Sequence, residues 1–203
     1  FVTENPATGK PLAEIAACDK EDIDRAVEAA RSAFEKGSWS KMSPDDRKKV
    51  LLKFADLLET HTDELALLDC LEAGKPIQDC STFDIPETVK CIRWHAEAID
   101  KLYDHVSTTS SDNLGLILRE PIGVVGAVIP WNFPALMAAW KIGPALAAGN
   151  SVLLKPSELT SLSALRMGEL AGEAGVPQGV FNVLPGLGET AGQAVLRKWG
   201  VCV

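Results

Sequence analysis

At 203 residues the chain is long enough for one domain, or for one domain and a fragment of another. Its composition, 46% hydrophobic and 24% charged, is that of an ordinary globular protein. A net charge of −8 with no basic cluster argues against a nucleic-acid partner, because that affinity comes mainly from neutralising phosphates.

The five cysteines, Cys18, Cys70, Cys80, Cys91 and Cys202, are odd in number and widely spaced. They predict reduced thiols in the cytoplasm rather than a disulfide framework, and no C-x-x-C pair suggests zinc. Cys91 and His95 share one helical face, but two ligands do not make a metal site. Residues 1–20 lack the apolar core of a secretory signal.

In chain order, residues 1–17 predict a hairpin around the turn cluster Asn5-Pro6-Ala7-Thr8-Gly9. A helix follows, capped by Asp19 and stopped by Gly37, with Ile23, Ala26, Val27, Ala30 and Phe34 inward. Ser43-Pro44 starts a second helix, with Val50, Leu51, Phe54, Leu57 and Leu58 inward. A third covers 63–73 and stops at Gly74. A fourth runs from about 86 to 103, with Val89, Ile92, Ala96, Ile99 and Leu102 or Tyr103 inward. His61, His95 and His105 have no acidic or cysteine partner at a catalytic spacing. Residues 106–119 predict a second hairpin that projects and offers an edge strand for a partner subunit to cover.

The first 20 residues of the next stretch, 121–140, carry no charge, which meets the length test for a membrane helix. Pro130, Asn132 and Pro134 fall mid-run and two glycines break its first half, so buried parallel strand is the better reading. From residue 122 the rhythm is β-α-β-α-β-α. Strands are expected at 123–129, 151–154 and 180–184, and helices near 134–148, 161–174 and 190–198. This alternation predicts a parallel sheet with right-handed crossovers. The strands end at Pro130, Pro156 and Pro185, and ligands of open α/β sheets bind outside such ends.

Three features at that edge carry chemistry. Lys155-Pro156-Ser157-Glu158 ends the second strand, where a carboxylate can accept hydrogen bonds from ribose hydroxyls and repel a 2′-phosphate; a helix-capping Ser-Glu pair is the alternative. Gly186-Leu187-Gly188-Glu189-Thr190-Ala191-Gly192 opens a helix with backbone that a ligand can approach, or is simply a turn. Asn132, a buried amide between Pro130 and Pro134, is placed to donate to a developing oxyanion, or else to cap the following helix.

Together these stretches resemble the aldehyde dehydrogenase superfamily. The likeness rests on Glu120-Pro121-Ile122-Gly123-Val124, Pro130-Trp131-Asn132-Phe133-Pro134, Trp140-Lys141-Ile142-Gly143-Pro144-Ala145-Leu146-Ala147-Ala148-Gly149-Asn150, Leu154-Lys155-Pro156-Ser157-Glu158 and the segment from Gly175 to Val183. It implies an α/β chain in three parts. Residues 1–105 are a helical lead-in, 106–120 a β-hairpin oligomerisation arm, and 121–203 the first half of a Rossmann-like parallel sheet.

The resemblance implies NAD, with NADP less favoured, an aldehyde substrate oxidised to an acid, and a homo-oligomer without membrane or nucleic-acid partners. Asn132 matches the oxyanion-stabilising asparagine. Lys155 and Glu158 match residues that hold the adenosine ribose, Ile129, Pro130 and Trp131 match contacts to NAD, and Gly188 and Gly192 match the adenine-side wall. Phe133, Met137 and Trp140 match the aldehyde tunnel.

The family's nucleophilic cysteine, general-base glutamate and pyrophosphate loop have no counterpart here, so the catalytic domain is absent and the fragment itself is expected to be inactive. A non-catalytic binding or assembly role is the alternative. The match fades after Gln193-Ala194-Val195-Leu196, and the closing residues 197–203 do not read as a clean continuation into a strand.

Overall fold

The computed structural model describes residues 1–198 and 200–202. Strands β1 (Val2–Asn5) and β2 (Lys10–Glu14) form the opening antiparallel hairpin. The Asn5 side chain accepts a bond from the Ala7 amide at 2.9 Å, which closes the turn the sequence marks.

Helix α1 (Lys20–Lys36) has the expected ends: Asp19 and Asp22 form a capping box, and Gly37 is left-handed. Its buried face is Ile23, Val27, Ala30 and Ala33, whereas Ala26 and Phe34 are only partly covered. Helix α2 (Pro44–Thr60) starts where the Ser43 hydroxyl accepts from the Asp46 amide. Leu51, Phe54, Ala55 and Leu58 are its buried residues, with Val50 and Leu57 packed at the margin. Helix α3 (Thr62–Ala73) stops at left-handed Gly74.

The fourth helical segment differs from expectation. A single turn, α4 (Ile77–Asp79), passes through a π-helical turn at Cys80–Asp84 into α5 (Ile85–Ala98). The helix therefore stops short of 103, and Leu102 and Tyr103 are exposed rather than inward. The apolar spacing continues past the real stop with no glycine or proline to mark it. Instead the Lys101 amide folds back to the Ala98 carbonyl in a tight turn. Strands β3 (His105–Ser107) and β4 (Gly115–Ile117) form the second hairpin, which leaves Val106, Leu116 and Ile117 exposed.

The α/β half follows as β5 (Val124–Val128), α6 (Pro134–Ala147), β6 (Ser151–Lys155), α7 (Leu162–Ala174) and β7 (Phe181–Val183). A π-helical turn at Gly188–Gly192 then leads into a short α8 (Gln193–Arg197). The closing residues form a strand, β8 (Val201–Cys202), against the expectation that they would not. Its two residues pair with Val124 and Val125 of β5, a signal too short for periodicity to register. Trp199 and Val203 lie outside the described residues.

All pairings in this sheet are parallel, in the order β7-β6-β5-β8. The chain therefore steps outward from β5 to β7 and then returns to the far side of β5. That reversal makes a topological switch point between β5 and β8.

Alternation along the strands splits the core. Val124 and Leu153 face α1 and α8, with Ile23, Val27, Ala30 and Val195. Ala127, Val152 and Leu154 face the opposite side, with residues of α2, α5, α6 and α7. Trp39 is fully buried and donates its ring N–H to the Leu146 carbonyl at 3.0 Å, which ties the lead-in to α6. Asn150 accepts from the Gly123 amide at 3.0 Å and donates to the Ala145 carbonyl at 3.1 Å, so the end of α6 is fixed to the start of β5. Among the described residues no helix is long and apolar enough to cross a membrane.

Gly179, before β7, has φ +84°, and a Cβ there would stand 2.9 Å from the Ala29 carbonyl oxygen of α1. G179A is expected to lower stability by about 1–3 kcal/mol, since both the backbone conformation and the close helix approach oppose a side chain. A lower urea midpoint at an unchanged m-value is the readout.

Candidate functional site

The carboxyl ends of β5 and β6 meet at the Ile129 amide, which donates to the Lys155 carbonyl at 3.1 Å. Three segments gather there: residues 129–134, 155–161 and 185–192. Lys155 is 2% exposed, yet its ammonium reaches Glu158, 2.9 Å away. A buried cation needs such a partner. The Lys155 ammonium, then Glu158's own backbone amide and, least, the nearby amide of Gly188 hold the Glu158 carboxyl below its ordinary value. Lys155, Glu158 and Gly188 are thus brought together, with the Glu158 side chain partly open to solvent. Glu158 does not behave as half of a Ser-Glu cap. The helix after it begins later, and Ser157 bonds the Leu159 amide instead.

Trp131 is 52% exposed and lines a cavity of about 320 Å³ with Glu158, Leu159 and Thr160 from the second strand's loop and Thr3 and Pro6 from the opening hairpin. Pro130 is exposed and Ile129 buried. Gly192 is buried, and its amide bonds the Leu187 carbonyl at 3.2 Å. Gly188 is open: a Cβ there would meet nothing within 4 Å. Gly186 has no such room, because a Cβ would sit 2.8 Å from that of Ala191 and 3.1 Å from the Cys18 carbonyl. In that glycine cluster, then, Gly186 is demanded by packing, and Gly188 leaves space that a ligand could fill.

Asn132 is exposed, not buried as its apolar surroundings suggest. The run around it is buried as strand and helix, but the turn between them sits at the sheet's edge. Nor does Asn132 cap α6. The cap position falls on Phe133, which makes no side-chain cap bond. Among the described residues the Asn132 amide has no hydrogen-bond partner, so its donors are free at the strand end. Phe133 and Met137 are half-buried, and Trp140 is exposed beside Cys91 and Trp94 of α5. Phe133 at the cap position and Met137 and Trp140 within α6 follow at four- and three-residue spacing, so the three share one side of the helix.

What caps α6 comes from elsewhere. Asp69 of α3 accepts from the Ala135 amide at 3.3 Å. Three residues on, Glu72 accepts from the Ser161 and Leu162 amides at 3.2 and 2.8 Å and from the Thr3 hydroxyl at 2.7 Å, which caps α7. Sequence reasoning missed both. A signal was present: two acids in the latter half of a helix, where the macrodipole disfavours them unless they serve another helix. Lys75, just past α3, was also missed. It pairs with buried Asp84, and its ammonium lies 3.6 Å from the centre of the Phe133 ring.

The Cys91 sulfur lies 3.7 Å from the His95 ring nitrogen, and burial pushes the thiol up to about 11. Burial likewise raises Cys80 to about 12. Neither is an activated nucleophile. No cluster of three metal-ligating side chains occurs among the described residues.

An α/β chain with this strand-end arrangement defines a nucleotide-binding type of sheet. The profile of the aldehyde dehydrogenase family matches residues 1–202, and the chain belongs to that family. The match extends through the closing strand, beyond the point where the sequence motifs fade. Aminoacetaldehyde dehydrogenase of Pseudomonas aeruginosa is 57% identical over 197 residues, covering 97% of this chain and 40% of the relative. The NADP/NAD-dependent aldehyde dehydrogenase PuuC of Escherichia coli is 58% identical over 197 residues, again 97% of this chain and 40% of the relative. Among solved structures, the indole-3-acetaldehyde dehydrogenase AldA of P. syringae, in complex with NAD+ and IAA, superposes with a TM-score of 0.98 at 54% identity, covering 99% of this chain and 41% of that one. The chain thus spans about 40% of the length of the relatives it matches.

Asp69 generates a pH prediction. Burial, with the neighbouring Asp84 and Glu72 charges adding to it, outweighs the nearby Ser163 hydroxyl and the Ala135 amide and raises its carboxyl from 3.8 to about 7. A raised carboxyl favours the folded state while protonated. That contribution is complete below about pH 4 and is lost as pH rises through about 7. D69N keeps an acceptor for the Ala135 amide but cannot ionise. It is expected to flatten the decline in urea midpoint between pH 4.5 and pH 7.5 relative to the unsubstituted protein.

Proposed function

We propose that this chain is the amino-terminal part of an NAD-dependent aldehyde dehydrogenase. On this reading residues 1–105 are the helical lead-in of the NAD domain, 106–120 the oligomerisation arm, and 121–203 the first half of the nucleotide-binding sheet. The observation that carries it is the Lys155–Glu158 pair at the carboxyl edge beside the switch point.

Glu158, held ionised by Lys155, accepts from the hydroxyls of the adenosine ribose. The open backbone at Gly188, with Gly192 behind it, gives the adenine a wall that no side chain fills. Ile129, Pro130 and Trp131 line the route from β5 towards the reacting end. NAD, when bound, supplies the hydride acceptor. The Glu158 charge opposes a 2′-phosphate, so NAD is favoured over NADP. The naming of the Escherichia coli relative for both coenzymes makes this a preference of degree.

Asn132 donates its amide N–H to the aldehyde oxygen as negative charge develops there, an interaction typically worth roughly 3 kcal/mol in the transition state. Phe133, Met137 and Trp140 supply apolar wall for the aldehyde. The nucleophilic cysteine and general-base glutamate are not among these residues. The substrate class is an aliphatic or amino-substituted aldehyde, in keeping with the aminoacetaldehyde relative. The exposed apolar residues of the second hairpin suit burial against a second subunit, giving a homo-oligomer. Five free thiols suit a cytoplasmic setting.

Titration of the full-length enzyme that carries these residues with NAD, followed through tryptophan emission, tests the nucleotide reading. Binding is expected, and E158Q is expected to weaken it roughly tenfold and to narrow the preference over NADP. Absence of NAD binding would sink the reading. The 203-residue chain by itself is expected to form no NADH with small aldehydes, and measurable turnover would refute that.

A further inference from the structure

The turn that carries Asn132 is held by very little of its own. Asn132 has no side-chain partner among the described residues, Trp131 is half-exposed, and Phe133 sits at the cap position of α6 with φ −144° and ψ 71° and no side-chain cap. Two groups from outside grip it. Asp69 takes the Ala135 amide, and the Lys75 ammonium lies on the Phe133 ring at 3.6 Å. Lys75 is not loosely placed. Left-handed Gly74 turns the chain out of α3 directly before it, and a Cβ there would strike Pro6 at 2.8 Å. Asp84, 1% exposed and on the π-helical turn, fixes the ammonium from the other side.

A buried carboxylate with one lysine partner is a costly device for stability alone, because desolvation offsets most of the attraction. One oxygen of Asp84 has no partner among the described residues, so the pair is incompletely satisfied even so. The arrangement does fix direction: Asp84 aims Lys75, and Lys75 covers the ring next to Asn132.

We propose that Lys75 is a positioning residue for Asn132: clamped by Asp84, its ammonium pins the Phe133 ring and so fixes the direction in which the neighbouring amide points. The proposal rests on the reading of Asn132 as an oxyanion donor. Loss of the clamp leaves the nucleotide residues Lys155 and Glu158 in place but lets the Asn132 turn swing.

The experiment uses the full-length enzyme that carries these residues, with steady-state kinetics and, on the cofactor-free protein, amide hydrogen exchange. K75M combined with D84N removes the cation and its counter-charge together, so no buried charge is stranded; K75R retains the cation. For K75M/D84N, kcat is expected to fall roughly ten- to hundredfold, as for a misplaced catalytic group, while KM for NAD stays within about twofold. K75R should recover most of the loss, and exchange over residues 130–137 should quicken in K75M/D84N. Added to N132A, K75M/D84N should cost no more than about a further twofold, since the two act through one amide. An unchanged kcat, or the same loss with and without the Asn132 amide, overturns the proposal. If N132A alone leaves kcat intact, the oxyanion reading has failed, and exchange then decides: faster exchange over 130–137 in K75M/D84N supports the clamp, and unchanged exchange refutes it.

Discussion

Helices α6 and α7 both begin without a capping side chain of their own, and both borrow one from α3. Asp69 and Glu72, three residues apart on one helical face, reach the first amides of the two helices. Those amides are orphan donors that the interior cannot leave unpaired. The same helix starts carry the loops at the carboxyl edge of the sheet. The opening hairpin joins the arrangement through Thr3, which donates to Glu72. A helix of the lead-in therefore sets the position of loops more than sixty residues further along the chain.

This dependence explains why the helical lead-in and the sheet form one packed body. The sheet contributes apolar faces on both sides, with α1 and α8 on one and α2, α5, α6 and α7 on the other. The polar groups that matter sit where the layers end. Lys155 is buried because β6 is buried on both faces, and Glu158 offsets its charge from the rim. The Asn132 turn projects because β5 must pass into α6 across that rim.

Much of the fold was legible in the residues. Asp19, Gly37, Ser43-Pro44 and Gly74 marked helix ends that the structure keeps, because capping is a local hydrogen-bonding requirement. The β-α-β rhythm was legible for the same reason. The end of α5 was not: its apolar spacing runs on past the tight turn that stops it. The closing strand was not either, since two residues carry no period and Val201–Cys202 is a strand only because β5 offers an edge. Without β8 the switch point could not be located. At the site, Lys155 and Glu158 three residues apart could be read as a pair. Asp69, Glu72 and Lys75 could not be tied to it, because their partners lie tens of residues away.

By itself the sequence determined the local grammar: which of the longer segments are helix or strand, where the caps of α1 and α2 and the glycine stops after α1 and α3 fall, and that Asn132, Lys155 and Glu158 stand at strand ends. These follow from short-range sterics and hydrogen bonding, which a chain carries in its own order. Tertiary structure alone decided that Asn132 is exposed and uncapped, that Gly186 rather than Gly188 is required by crowding, and that α3 and Lys75 hold the Asn132 turn. Those facts depend on which surfaces meet across the core, and burial and charge pairing between distant segments leave no periodic trace in the chain.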